Sequence, residues 1–175
     1  DLIIYSDGFK GEKDYEKVVE VRNYLSTITG FRTVTLHEAH YNQGLANSVI
    51  NGVSEVMELH GKAIVLEDDI VTAPDFLVFM NQLLEQYQDR MDIFSVTGYA
   101  PKVNLPINYA SDVYLAPRAS SWGWGTWANR WQAADWTSVA FSKVRENDRL
   151  RAALLEGGED LWPMLVKQQR GLIDS

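Results

Sequence analysis

The chain has 175 residues, 46% of them apolar and 23% charged, a composition that supports a buried core and excludes a disordered segment. A formal charge of −8, with no Lys/Arg run longer than two, leaves no basic face for backbone phosphates and excludes a nucleic-acid partner. Cysteine is absent, which removes disulfides, thiolate catalysis and zinc–cysteine sites and is compatible with a reducing cytoplasm.

No apolar run approaches the ~20 residues that a membrane helix needs. The chain opens on Asp1 and passes straight into Leu2-Ile3-Ile4-Tyr5, which reads as a strand ending in the Ser6-Asp7-Gly8 turn signal. It stops at Leu172-Ile173-Asp174-Ser175 without a turn signal, so the sequence is expected to be a fragment truncated at both ends. From Lys13 to Ile28, apolar residues at Tyr15, Val18, Val19, Tyr24, Leu25 and Ile28 have helical spacing, closed by Gly30. Thr33–Leu36 is a second strand. Gln43 to His60 is helical again, with Gly61 at its C′ position. Ala63–Leu66 is apolar without alternation, as expected of a central strand buried on both faces.

Beyond the acidic Glu67-Asp68-Asp69, Pro74 suits a first helical turn behind Thr72 as a cap, and Asp75 to Arg90 reads as an amphipathic helix. Ile93–Thr97 is a further strand. Strand, helix, strand, helix, strand predicts an α/β open sheet, mostly parallel, flanked by helices. Gly98 to Ser111 is loop-like, and Val113–Leu115 reads as a short strand. Trp122 to Trp131 reads as the start of a helix, and Arg145–Leu155 and Asp160–Gln169 as helices separated by Gly157-Gly158.

The three acids follow the buried strand directly, and ligands of open α/β sheets bind beyond the carboxyl ends of the strands. Packed carboxylates repel one another unless a cation compensates, and a hard divalent ion such as Mg²⁺ or Mn²⁺ also bridges diphosphate oxygens. Position alone leaves a second reading open, a solvated acidic turn ahead of a helix N-terminus.

Ala63-Ile64-Val65-Leu66-Glu67-Asp68-Asp69-Ile70, followed by Ala73-Pro74-Asp75-Phe76, resembles the metal-binding segment of GT-A glycosyltransferases. More narrowly it resembles the N-acetylglucosaminyltransferase I type, whose variant of the DxD motif is Glu-Asp-Asp. His40-Tyr41-Asn42-Gln43-Gly44-Leu45-Ala46 is similar to the family's segment leading into the preceding helix. Ser121-Trp122-Gly123-Trp124-Gly125-Thr126-Trp127 stands where the family has its Gly-Trp acceptor-side segment, and related bacterial sugar transferases resemble it more closely. The resemblance implies a GT-A, Rossmann-like nucleotide-diphospho-sugar transferase domain over 1–175. Residues 1–97 would bind the nucleotide sugar and 98–175 would face the acceptor. It further implies Asp69 as the direct ligand of Mn²⁺ or Mg²⁺, Glu67 and Asp68 as contacts to ribose or metal-bound water, and Asp7 as the acid that meets the nucleobase. A plain turn is the equal alternative for Asp7. Asp174 resembles the inverting base, with Glu159 and Asp160 as competing acids.

His37 and His40 form His-x-x-His, but no third ligand accompanies them and a zinc site is not expected. Gly8 and Gly11 lack both the dinucleotide and the P-loop spacing. Trp124, Trp127 and Trp131 recur at helical spacing, which favours core for Trp127 and Trp131. Trp122 and Trp124, in a glycine-flanked loop, are the candidates for touching an acceptor.

The expected activity is inverting transfer of a sugar from a nucleotide diphosphate sugar, UDP-linked by resemblance, to a glycan or other hydroxyl acceptor. A Mg²⁺-dependent nucleotidyltransferase and a non-catalytic carbohydrate-binding module are the alternatives. A bacterial, cytoplasmic setting is expected, with any peripheral membrane contact left to segments outside this sequence.

Overall fold

A computed structural model describes residues 1–137 and 139–173, with five strands and seven helices among them. The chain is mixed α/β, and it forms two compact units, Asp1–Gly52 and Val53–Ile173.

In the Asp1–Gly52 unit, β1 (Leu2–Ser6) pairs in parallel with β2 (Val34–Glu38), from Leu2 opposite Val34 to Ser6 opposite Glu38. Parallel neighbours need a crossover, and α1 (Glu12–Leu25) supplies it. The expected apolar stripe of α1 is largely wet: Tyr15, Val19 and Tyr24 are exposed, and no residue of the helix is fully buried. Arg22 ties α1 to the strands instead. Its guanidinium donates to the backbone carbonyls of Ser6, Asp7 and Ala39, at 3.3, 3.1 and 2.8 Å. These carbonyls lie at or just past the carboxyl ends of β1 and β2, and the Ser6 carbonyl also accepts the Ala39 N–H at 3.0 Å. The division between the units falls inside α2 (Leu45–His60).

In the Val53–Ile173 unit, β3 (Lys62–Val65) leads through the acidic turn to α3 (Phe76–Gln86), then β4 (Ser95–Thr97). After a long loop come β5 (Trp124–Trp127) and α4 (Ala128–Ala133). Three short helices follow, α5 (Phe141–Glu146), α6 (Asp148–Leu155) and α7 (Leu161–Gln169). The sheet order is β3-β5-β4, with β5 antiparallel to both neighbours.

Several expectations are corrected here. The described strands form one parallel pair and one antiparallel triple, not a mostly parallel sheet. Within the triple β5 takes the centre and β3 lies outside it, only half-buried along its length. The sequence hid β5 because Trp127 and Trp131 stand one helical turn apart. Trp127 in fact ends the strand and Trp131 sits in the helix after it. Trp124 accordingly belongs to a strand, not a loop. Residues 98–123 hold neither helix nor strand, so Val113–Leu115 is loop. α3 begins after Asp75, whose side chain makes no cap hydrogen bond, and Thr72 is not its cap.

The core gathers under α3. Phe76, Met80, Leu83 and Leu84 pack with Ile93 just before β4, with Val96 of β4 and with Trp127 of β5. Burial of such side chains contributes roughly 1.5–3 kcal/mol each. Arg130, 5% exposed, lies over the Trp127 ring at 4.4 Å and donates to the carbonyl of Gln88 at 2.7 Å, just past the end of α3.

Candidate functional site

Val65, the last residue of β3, and Thr97, the last of β4, both face Trp124, the first residue of β5. Three segments therefore emerge at one end of the sheet: the acidic turn after β3, Gly98-Tyr99 after β4, and Trp122-Gly123 before β5. Their backbones are locked together. The Gly98 N–H donates to the Gly123 carbonyl at 2.8 Å, and Thr97 Oγ1 accepts the Tyr99 N–H at 3.2 Å while donating to the Gly123 carbonyl at 3.3 Å. The Phe76 ring fills the space below. A Cβ on Gly98 would stand 2.5 Å from Phe76 Cε2, and one on Gly123 would stand 3.1 Å from it. Gly123 also has φ +67°, in the left-handed region that side chains disfavour. The Phe76 of the Ala-Pro-Asp-Phe motif thus seats the loops on either side of the site.

Glu67 is half-buried, and Asp68 and Asp69 are exposed in a turn closed by the Ile70 N–H on the Glu67 carbonyl at 3.3 Å. Among the described residues no cation pairs with these three carboxylates. Nor, among them, do three or more His, Asp or Glu side chains converge as a ready-made metal site. The donor set still fits one class of ion. Mg²⁺ and its like are held by one or two carboxylates, with substrate phosphates and water completing the shell. Hard, exposed oxygens at the end of a strand suit such an ion, and Asp68 and Asp69 both offer them.

Asp7 lies at the end of β1, in the Asp1–Gly52 unit. Oδ1 accepts the backbone N–H groups of Gly8 and Gln43, at 2.8 and 2.9 Å. Oδ2 accepts the Asn42 amide at 2.9 Å and the Gly44 N–H at 3.1 Å. A carboxylate has about four lone-pair sites, and all four are engaged by the chain itself. Asp7 therefore fixes the loop that enters α2. His37 of β2 stacks on Tyr5 at 4.7 Å, and His40 is exposed.

The tryptophans divide by environment. Trp127 and Trp131 are 5% and 3% exposed, with indole N–H groups donated to the Leu84 carbonyl and to Ser54 Oγ. Trp124 is half-buried and stacks on Trp131 at 5.7 Å. Trp122 is exposed and meets the Tyr99 ring edge to face at 4.6 Å.

Among the candidate bases, Asp174 lies outside the described residues. Asp160 is gripped by Arg118, whose Nη1 and Nη2 donate to its two carboxylate oxygens at 2.7 and 2.8 Å. That hydrogen bonding holds the Asp160 carboxyl below its ordinary value, which makes it a weaker proton acceptor. Glu159 is exposed.

Three residues that matter here escaped sequence reasoning. Arg22 sits within a helical pattern like any surface cation, and Arg118 lies 42 positions from the acid it clamps. Tyr99 had one usable signal, an aromatic residue directly after a glycine at the end of a strand. Comparison with protein-family models, with curated proteins and with solved structures found no match for the chain.

Proposed function

We propose that this chain is the donor-binding part of an inverting, divalent-cation-dependent glycosyltransferase with a GT-A-type, Rossmann-like fold. One observation carries the reading. The Glu67-Asp68-Asp69 turn, with Asp68 and Asp69 exposed, leaves the end of β3 beside the glycine-locked Trp122-Gly123 and Gly98-Tyr99 segments, so an acidic group and an aromatic group share one end of a sheet. The Glu-Asp-Asp and Ala-Pro-Asp-Phe motifs support the same assignment by resemblance.

The donor is a nucleotide diphosphate sugar, UDP-linked on the strength of that resemblance. Asp69 would hold Mn²⁺ or Mg²⁺, and Glu67 and Asp68 would contact the ribose or metal-bound water. A cation held there would supply Lewis-acid neutralisation of the diphosphate leaving group. A carboxylate on the far side of the sugar takes the acceptor's proton as its hydroxyl oxygen attacks C1. Asp174 is assigned that role because it resembles the family's base segment; on this reading the acids at 67–69 would stand on the diphosphate side, and Asp160 is held by Arg118. No helix among the described residues is long and apolar enough to cross a membrane, and a bacterial cytoplasmic setting belongs to this proposal.

Calorimetric and thermal-shift titration with UDP-sugars, with and without Mn²⁺, tests the reading. Binding that requires the cation, with release of UDP when a hydroxyl acceptor is added, is the expected result. Release of pyrophosphate instead would identify a nucleotidyltransferase, and glycan binding indifferent to both metal and nucleotide would identify a carbohydrate-binding module.

A further inference from the structure

Tyr99 and Trp122 form an exposed aromatic pair in the Val53–Ile173 unit. Their rings meet at 62°, and they remain 41% and 52% exposed. Trp127, Trp131 and Trp136 each donate the indole N–H to a protein oxygen. Among the described residues neither the Trp122 indole N–H nor the Tyr99 hydroxyl has a protein partner. These two are amphipathic rings, each partly exposed to water.

Their position is not left to chance. The backbone of Tyr99 is held by Thr97 Oγ1, which also bonds the Gly123 carbonyl, and Gly98 is bonded to Gly123 directly. Phe76 fills the space under both glycines so closely that neither accepts a Cβ without displacing the ring. A rigid pair costs less to order on binding than two mobile side chains. Rings that meet edge to face also make a corner, and neither the indole N–H nor the phenol has a protein partner among the described residues.

A pyranose fits that chemistry. One of its faces is a set of axial C–H bonds, which packs on an aromatic face, and its rim is a ring of hydroxyls, which takes the indole N–H and the phenol. We propose that Tyr99 and Trp122 together form a stacking corner for one pyranose of the acceptor, and that Trp124 takes no part in it. Calling that sugar the acceptor rests on the transferase reading above, whereas the stacking itself does not. Trp124 is set aside because it lies within β5 with its ring against Trp131.

Saturation-transfer NMR with methyl β-D-glucopyranoside, methyl β-D-galactopyranoside and N-acetylglucosamine tests the corner, with neither nucleotide nor Mn²⁺ present. Transfer concentrated on H1, H3 and H5 of at least one probe is the expected pattern, because those hydrogens form one face of a β-pyranoside. Trp122→Ala and Tyr99→Ala should each weaken that binding about tenfold, and Tyr99→Phe should retain most of it. Trp124→Phe should leave the pattern unchanged. Absence of transfer to every probe in the unsubstituted protein overturns the proposal, as does transfer that survives both alanine substitutions. Sugar binding without any UDP-sugar binding keeps the corner and removes the transferase reading. Cation-dependent UDP-sugar binding without sugar stacking does the reverse.

Discussion

Asn42 donates its side-chain amide to the Asp7 carboxylate at 2.9 Å across a sequence separation of 35 residues, joining the end of β1 to the loop that enters α2. The same amide bonds the Gly8 carbonyl, so one side chain satisfies both an acid and a backbone acceptor. Asp7→Ala strips the partner from three backbone N–H groups and should destabilise the Asp1–Gly52 unit by about 2 kcal/mol. Asn42→Ala should cost about 1 kcal/mol, and the double variant should show coupling, because the two residues are in contact. Urea unfolding of the four proteins measures this. Simple additivity would mean that the two side chains act independently.

Gly98 should not tolerate a methyl group. Its Cβ would stand 2.5 Å from Phe76 Cε2, inside any real contact distance, and Phe76 is 9% exposed within the core. Gly98→Ala should destabilise the protein by about 1–3 kcal/mol, the usual cost of overpacking. Phe76→Leu should recover part of the loss in the double variant, since the offending ring edge is then gone. A Gly98→Ala protein with an unchanged melting temperature would show that the ring yields freely.

Asp69→Ala should abolish Mn²⁺-dependent turnover and leave the melting temperature nearly unchanged. Its side chain is exposed and makes no described protein contact, so structure loses little when it goes. Circular dichroism and UDP release, measured on the same preparation, separate the two effects. Full metal-dependent activity in this variant removes Asp69 from the metal site.

The Arg118–Asp160 pair should appear in the acid limb of stability. The Arg118 hydrogen bond lowers the Asp160 carboxyl from its ordinary value of 3.8 in the folded protein. A group depressed on folding stabilises the protein above its unfolded value and loses that contribution as pH falls through the folded one. Asp160→Asn should therefore lower the melting temperature at neutral pH, and the gap from the parent protein should close as pH is taken below 3.8. The shift should be small, because the pair is solvated. A gap independent of pH would assign the effect to packing.

Asp174→Asn should reduce kcat by about 10²–10⁴-fold in the full-length protein while UDP-sugar affinity holds, as removal of a positioned base does. Asp160→Asn should remain active, since Arg118 already occupies that carboxylate. Inactive Asp160→Asn beside active Asp174→Asn would move the base into the Gly-Gly-Glu-Asp turn.

Much of the architecture was legible because local pattern and tertiary role coincide. β1, α1, β2, α2, β3, α3 and β4 follow the expected order, since short apolar runs, 3.6-residue periodicity and closing glycines act within a few residues. The acidic turn after β3 was legible for the same reason. Local pattern gave out at β5, where a four-residue interval between tryptophans mimics a helix and only pairing with β3 and β4 makes a strand. It gave out again at Asp7, whose four donors, three of them from the loop at 42–44, no local spacing announces. The sequence alone determined which residues are acidic, aromatic or small, and where short elements begin. Tertiary structure decided which of them share an end of a sheet, which acid is already occupied and which rings stay open to solvent, because hydrogen bonds and ring contacts between distant residues depend on how the chain returns to itself and not on its local spacing.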